Sequence, residues 1–174
     1  SPLTFTKKYQ NVPRSMKENR RLRPLLKEIQ SHLHFSIMVA FQYAIKHQDG
    51  ERLKNLINVY KSYAAVEFRK VTPLELAVER GHFEAVKILV ESGYAHLETK
   101  KPRNFLSIPA GKGNLKILRY LIEQGGVSPD KRDRDQKTAL EVARKKKQRH
   151  IVSYLEGLGK KQGPPASESK AKPE

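Results

Sequence analysis

The feature that most constrains this chain is a segment that describes a complete supersecondary unit and then recurs. Residues 72 to 93 read Thr-Pro-Leu-Glu-Leu-Ala-Val-Glu-Arg-Gly-His-Phe-Glu-Ala-Val-Lys-Ile-Leu-Val-Glu-Ser-Gly. Thr72 is suited to cap a helix whose first turn opens with Pro73, where a missing N–H costs nothing because that donor would be unpaired anyway. Leu74, Leu76 and Ala77 then face inward. Gly81 and His82 interrupt the helix, and Phe83 to Glu91 begins a second one with Val86, Leu89 and Val90 on one apolar stripe and Gly93 as its stop. Two short helices cannot bury such stripes alone, so neighbours of the same kind are required.

The period does recur. A shift of 32 places Gly113-Asn114 on Gly81-His82, Leu106 on Leu74, Leu118 on Val86, Leu121 on Leu89 and Gly125 on Gly93. A shift of 66 places Thr138 on Thr72, Leu140 on Leu74, Ala143 on Ala77, Val152 on Val86 and Leu155 on Leu89. Moving back by 33 puts Ala44 on Ala77, Asp49 on His82, Leu53 on Val86 and Leu56 on Leu89.

On these motifs the chain resembles the ankyrin-repeat family over residues 37–158, with four repeats of which the first, over 39–58, and the last are degenerate. The resemblance implies an all-α solenoid of antiparallel helix pairs, an architecture that is mostly a binding surface and seldom an enzyme. Pro109 sits where the small-residue pair of the third repeat belongs and should kink or shorten that helix. In the fourth repeat Lys147, Gln148 and Arg149 replace the Gly-His-apolar turn, and a polar outer face is what a terminal repeat needs. Residues 1–36 read as a basic arm, extended through Pro2, Pro13 and Pro24, followed by a short amphipathic helix carrying Leu25, Leu26, Ile29 and Leu33. Residues 159–174 read as a tail, and from Gly163 onward they have no apolar periodicity and the composition of a disordered segment.

Length and composition fit one slab of this kind: 174 residues with 37% hydrophobic content leave no room for a second independent core. No run of about 18 apolar residues occurs, so no transmembrane helix is expected. The absence of cysteine excludes a disulfide framework, thiolate zinc sites and a thiol nucleophile. A start at Ser1 rather than Met reads as a processed or truncated form, and no signal sequence is legible in it.

Charge is the second constraint. The formal net charge is +17. Residues 1–36 hold eight Lys or Arg against two acids and residues 136–162 again eight against two, so these two ends carry +12 of it. An excess of one sign favours anionic partners, because solubility alone needs no single sign. The ankyrin resemblance sharpens this, since the family's recognition positions are defined relative to the Thr-Pro-Leu motif. They fall at Phe68, Arg69, Val71, Glu79 and Arg80, at Lys100, Lys101, Arg103, Gly111 and Lys112, and at Arg134, Asp135, Lys137, Lys145 and Lys146. Ten of the fifteen are Lys or Arg, where 35 basic residues in 174 would put about three. With them goes a basic arm at Arg20, Arg21 and Arg23. The outer helix of the second repeat, by contrast, mixes Glu84, Lys87 and Glu91 as an ordinary solvated face does.

Chemical sites find no support. Gly111-Lys112-Gly113-Asn114 falls on an inter-helix turn and lacks the glycine spacing of a phosphate loop. His32 and His34 could converge on a metal only in an extended segment, without the carboxylates or thiolates that would complete a site. His82 reads as a structural hydrogen-bonder, and the aromatics Phe5, Tyr9, Phe35, Tyr60 and Tyr63 are too scattered for base stacking. The runs at Arg20–Arg23 and Lys145–Lys147 also have the form of nuclear import signals, although each serves the electropositive arm or cap.

The sequence therefore reads as a non-enzymatic scaffold, without cofactor, metal or small-molecule substrate, whose basic concave face and termini take an anionic partner within a larger assembly. RNA phosphate backbone is the first expectation, as in a structural subunit of an organellar, mitochondrial, ribosome. An acidic protein segment bound by a signalling, cytoskeletal or bacterial-effector type of adaptor is the second.

Overall fold

The computed structural model describes residues 20–67, 70–95, 97 and 102–161, with side chains placed through residue 159. The sequence-based expectations for the extended arm before Arg20 and for the tail from Gln162 lie outside the described residues. The chain divides into two compact units, Ser1–His96 and Leu97–Glu174. Among the described residues the structure is helical, and no helix is long and apolar enough to cross a membrane.

In the first unit, α1 spans Leu22–Lys46 and α2 spans Gly50–Val59, followed by a 3-10 turn at Lys61–Ala65; α3 is Pro73–Arg80 and α4 is Phe83–Glu91. The short arm helix and the first repeat helix expected from the sequence are one continuous helix of 25 residues, so the boundary at 36/37 falls inside α1. The physical reason is that Leu25 to Lys46 contains neither Gly nor Pro, while Pro24 lies in the first turn, where its missing N–H is no loss. Helix α1 packs on α2 and α3, and α4 packs on α2 and α3. Ala44 and Ala77, both fully buried, are the small residues that the register of the first two repeats aligns. Around them Met38, Phe41, Ile45, Leu53, Leu74, Val86 and Leu89 complete the core.

In the second unit, α5 is Ser107–Lys112, α6 is Leu115–Glu123, α7 is Ala139–Lys145 and α8 is Arg149–Lys161. Helix α7 packs on α5 and α8, and α5 on α6, around Ala110, Ile117, Leu118, Leu121, Ala143 and Ile151. The shortening expected from Pro109 is present: α5 has six residues where α3 has eight. By starting at Ser107 the helix places Pro109 in its first turn, where no helical N–H bond is lost.

The helix starts show why the Thr-Pro-Leu register is readable. Thr72 Oγ1 accepts the Glu75 N–H at 3.2 Å while Glu75 Oε2 accepts the Thr72 N–H at 3.3 Å. The same reciprocal capping box joins Thr138 and Glu141 at 3.3 and 3.0 Å. Leu106, the residue immediately before α5, makes no side-chain cap. Between the helices of each pair the chain turns through a left-handed residue at one register: Gln48, Gly81, Gly113 and Lys147, with φ of 55°, 70°, 74° and 57°. Glycine adopts this conformation without strain. In the first and fourth repeats a side chain is held there, so the degenerate repeats keep the turn geometry without its usual residue.

Candidate partner-binding edge

The inter-helix turns of the second unit are tied side by side. Gln148 Nε2 donates to the Gly111 carbonyl at 3.3 Å, and His150 Nε2 bonds the Gly113 carbonyl at 2.9 Å. A Cβ added at Gly111 would lie 3.3 Å from Val142 Cγ1 and 3.8 Å from Lys146 Cγ, so α5 and α7 approach closely here. The first unit uses the same register. His82 Nδ1 donates to the Ile45 carbonyl at 2.7 Å, which makes His82 a structural hydrogen-bonder. The residue that ends its turn, His82 or Gln148, reaches a carbonyl 37 positions earlier in both cases.

Around the tied turns of the second unit stand Lys112, Lys145, Lys146, Lys147 and Arg149, all exposed. Glu156 on α8 is engaged by Arg144 at 2.7 Å. Among the described residues Lys145, Lys146, Lys147 and Arg149 have no carboxylate partner. Lys112 and Lys145 close the last turns of α5 and α7, where a cation complements the helix dipole. Lys146, Lys147 and Arg149 lie past the end of α7, and the dipole falls off beyond the last turn, so they add repulsion to the group.

A second element of the edge is the loop before α7. Asp133, buried, accepts the N–H groups of Asp135 and Lys137 on one carboxylate oxygen, each at 2.9 Å. Its own N–H donates to the Lys137 carbonyl at 2.9 Å, and Gln136 turns the chain with φ of 60°. The closed loop displays Arg134 to solvent, anchored because the Arg134 N–H donates to Asn104 Oδ1 at 3.2 Å. In the first unit Lys70 has the equivalent left-handed conformation, with φ of 68°.

The sequence-predicted residues distribute as follows. Lys112, Arg134, Lys145 and Lys146 are exposed in the second unit, and Arg80 is exposed as the last residue of α3 in the first. Arg103 and Lys137 are half-buried, Lys137 because its backbone closes the Asp133 loop. Arg69, Lys100 and Lys101 lie outside the described residues, as does Phe68. Arg20 and Arg21 are exposed immediately before α1 and Arg23 in its first turn, which has no acidic residue and no side-chain cap. His32 and His34 lie two apart on α1, a spacing that points side chains away from each other on a helix, and the His34 ring stands 5.2 Å from that of Tyr63.

Lys147 and Arg149 join the group although the family register does not mark them. The signal for them was the run Arg144 to Arg149 itself. Asp133 was equally unmarked, because an Asp that closes a loop looks like any other polar loop residue.

The outer helices of the second unit pair part of their charge. Arg119 Nε meets Glu123 Oε1 at 2.8 Å, and Tyr154 on α8 donates to the same oxygen at 3.0 Å. Burial, and then that hydrogen bond, hold the Tyr154 phenol above its ordinary pKa.

Comparison with known proteins agrees with this architecture. A family model for ankyrin repeats, three copies, matches residues 77–162. A Caenorhabditis elegans homolog of transient receptor potential cation channel subfamily A member 1 is 38% identical over 72 residues, which is 41% of this chain and 6% of that relative's length. Among solved structures, a chain from the crystal structure of the yeast ribosomal protein Rps3 in complex with its chaperone Yar1 matches with a TM-score of 0.58. It is 17% identical, over 77% of this chain and 96% of that one, a likeness of fold alone. Residues 77–162 thus carry ankyrin repeats, and stacked helix pairs of this kind are scaffolds for protein–protein interaction.

Proposed function

We propose that this chain is a non-enzymatic adaptor that grips an acidic protein segment on the cation-lined turns of its second unit. The observation that carries this reading is the grouping of Lys112, Lys145, Lys146, Lys147 and Arg149 around two turns that Gln148 and His150 hold together. Five like charges placed this way repel one another in the free protein, and an aspartate- or glutamate-rich segment relieves that repulsion while its charge steers the encounter. Arg134, on its anchored loop, extends the same chemistry within the unit.

The test is a binding titration of the full chain with a fluorescent poly-glutamate peptide, against a charge-reversed variant carrying Glu at Lys112, Lys145, Lys146 and Lys147. The wild type should bind with an affinity that falls steeply with salt, and the variant should lose at least about tenfold, or ~1.4 kcal/mol. Equal binding by both proteins would overturn the reading.

A second reading, a structural subunit of an RNA-containing assembly such as an organellar ribosome, is favoured by one specific observation. The two ends hold +12 of the +17 charge, and Arg20, Arg21 and Arg23 project at the start of α1. Generic single-stranded RNA in place of the peptide distinguishes the two. A log–log salt slope of about −0.7 per phosphate contact, over several contacts and with no measurable peptide binding, would select RNA.

A further inference from the structure

The first unit contains an apolar surface that its own described residues leave open. No residue from 22 to 36 of α1 is buried, whereas Ile37, Met38, Phe41, Ala44 and Ile45 are. Yet Leu22, Leu26, Ile29, Leu33, Ser36 and Ala40 follow one another at steps of four and three residues, the alternation of a coiled-coil seam. The C-terminal half of this seam opens into a groove of about 550 Å³ between α1 and α2, where Leu33, Ser36 and Ala40 face Leu56, Val59 and Tyr60. Val59 is 44% exposed and, beside the seam, Leu25 is 55% exposed. The acid in the groove lining, Asp49, is engaged by its neighbour: its carboxylate accepts the Arg52 N–H at 3.0 Å and pairs with the Arg52 guanidinium at 3.4 Å.

We propose that this seam and groove form a docking site for an acidic amphipathic helix of a partner protein. The periodicity calls for a helix, because a 3-4 alternation accepts knobs from a second helix crossing at about 20° and gives an extended strand no matching register. The charge selects its chemistry. Residues 20–36 carry Arg20, Arg21, Arg23 and Lys27 against the single acid Glu28, at a helix N-terminus whose dipole is positive as well. A second copy of this chain would bring the same cations to the seam. The segment 1–19 of the chain itself holds four Lys or Arg against one acid, so both internal candidates meet like charge. A seam running from residue 22 to residue 40 is ~27 Å long at 1.5 Å per residue, matching a partner helix of ~18 residues. The surface lies wholly in the first unit and does not depend on the cation-lined turns of the second.

The experiment uses the full chain and a labelled helical peptide of ~18 residues with Leu and Ile at the seam positions and Glu at the flanking ones, and a twin with Lys in place of Glu. Fluorescence anisotropy should show the Glu peptide binding at least ~10-fold more tightly than the Lys twin. Leu33→Glu should weaken the Glu peptide by at least ~10-fold. Ser36→Glu, at an exposed seam position that asks nothing of the core, should do the same with an unchanged circular dichroism spectrum and Tm. Absence of binding at ~100 μM peptide, equal affinity for the twins, or wild-type binding by Ser36→Glu each overturns the proposal. Two further outcomes also overturn it by assigning the surface elsewhere. A dimer in sedimentation equilibrium that Ser36→Glu dissolves gives it to a second copy. A gain of ~10-fold in peptide affinity on replacing Leu3, Phe5 and Tyr9 with Ser gives it to the chain's own first residues.

Discussion

Asp133 illustrates how much a single side chain organises here. Buried and bonded to two backbone N–H groups, it closes the loop that carries Arg134. Asp133→Ala should lower stability by ~2 kcal/mol, the scale for the hydrogen bonds of a buried charged group, read from the urea midpoint at unchanged m-value. Gly113 is the reverse case, a position where a side chain is strained and crowded. Its φ of 74° is left-handed, and an added Cβ would stand 2.5 Å from Gln148 Oε1. Gly113→Ala should therefore cost ~1–2 kcal/mol and loosen the bond from Gln148 to Gly111, detectable as faster amide exchange in the turn at 111–114. Gly113 was legible as a turn glycine from its spacing alone. That His82 and Gln148 do equivalent work was not, because each bonds a backbone carbonyl, and every residue carries one of those.

The elements are individually too short to stand alone. Helices of six to nine residues, such as α3 to α7, lie below the length at which an isolated helix persists in water, so caps and packing decide their limits. Thr138→Ala removes the hydroxyl half of the capping box at the start of the seven-residue α7 and should cost ~1 kcal/mol in chemical denaturation. Thr138→Ser retains the acceptor oxygen and should stay within a few tenths of the wild type, which separates the cap from the mere presence of threonine. Caps and turn residues act within four positions of themselves, and for that reason these boundaries could be read from the sequence. The continuity of α1 escaped a division drawn from the repeat period. The period marks where a repeat begins, whereas a helix ends only where the backbone is interrupted, and nothing interrupts it between Leu25 and Lys46.

At the scale of the whole molecule the governing quantity is the charge of +17, concentrated toward the two ends. Self-repulsion of that size opposes the compact state and is screened by salt. Raising potassium chloride from low ionic strength to 0.15 M, a Debye length of about 8 Å, should stabilise the free protein by ~1 kcal/mol, or ~2–4 °C in Tm by calorimetry. A Tm that fell with added salt would mean that attractive pairs outweigh the repulsion. The sequence by itself determined the helical class, the repeat period and the sign of the chain's own charge excess, since capping, left-handed turns and net charge depend on neighbours in the chain or on composition. Only the tertiary structure decided that Lys112 stands with Lys145 to Arg149, that Arg103 and Lys137 are half-buried while Arg134 is exposed, and that the described residues leave an apolar seam on α1 open. Burial and proximity are set by what packs against a residue, and its packing partners lie tens of positions away, where no local pattern reaches.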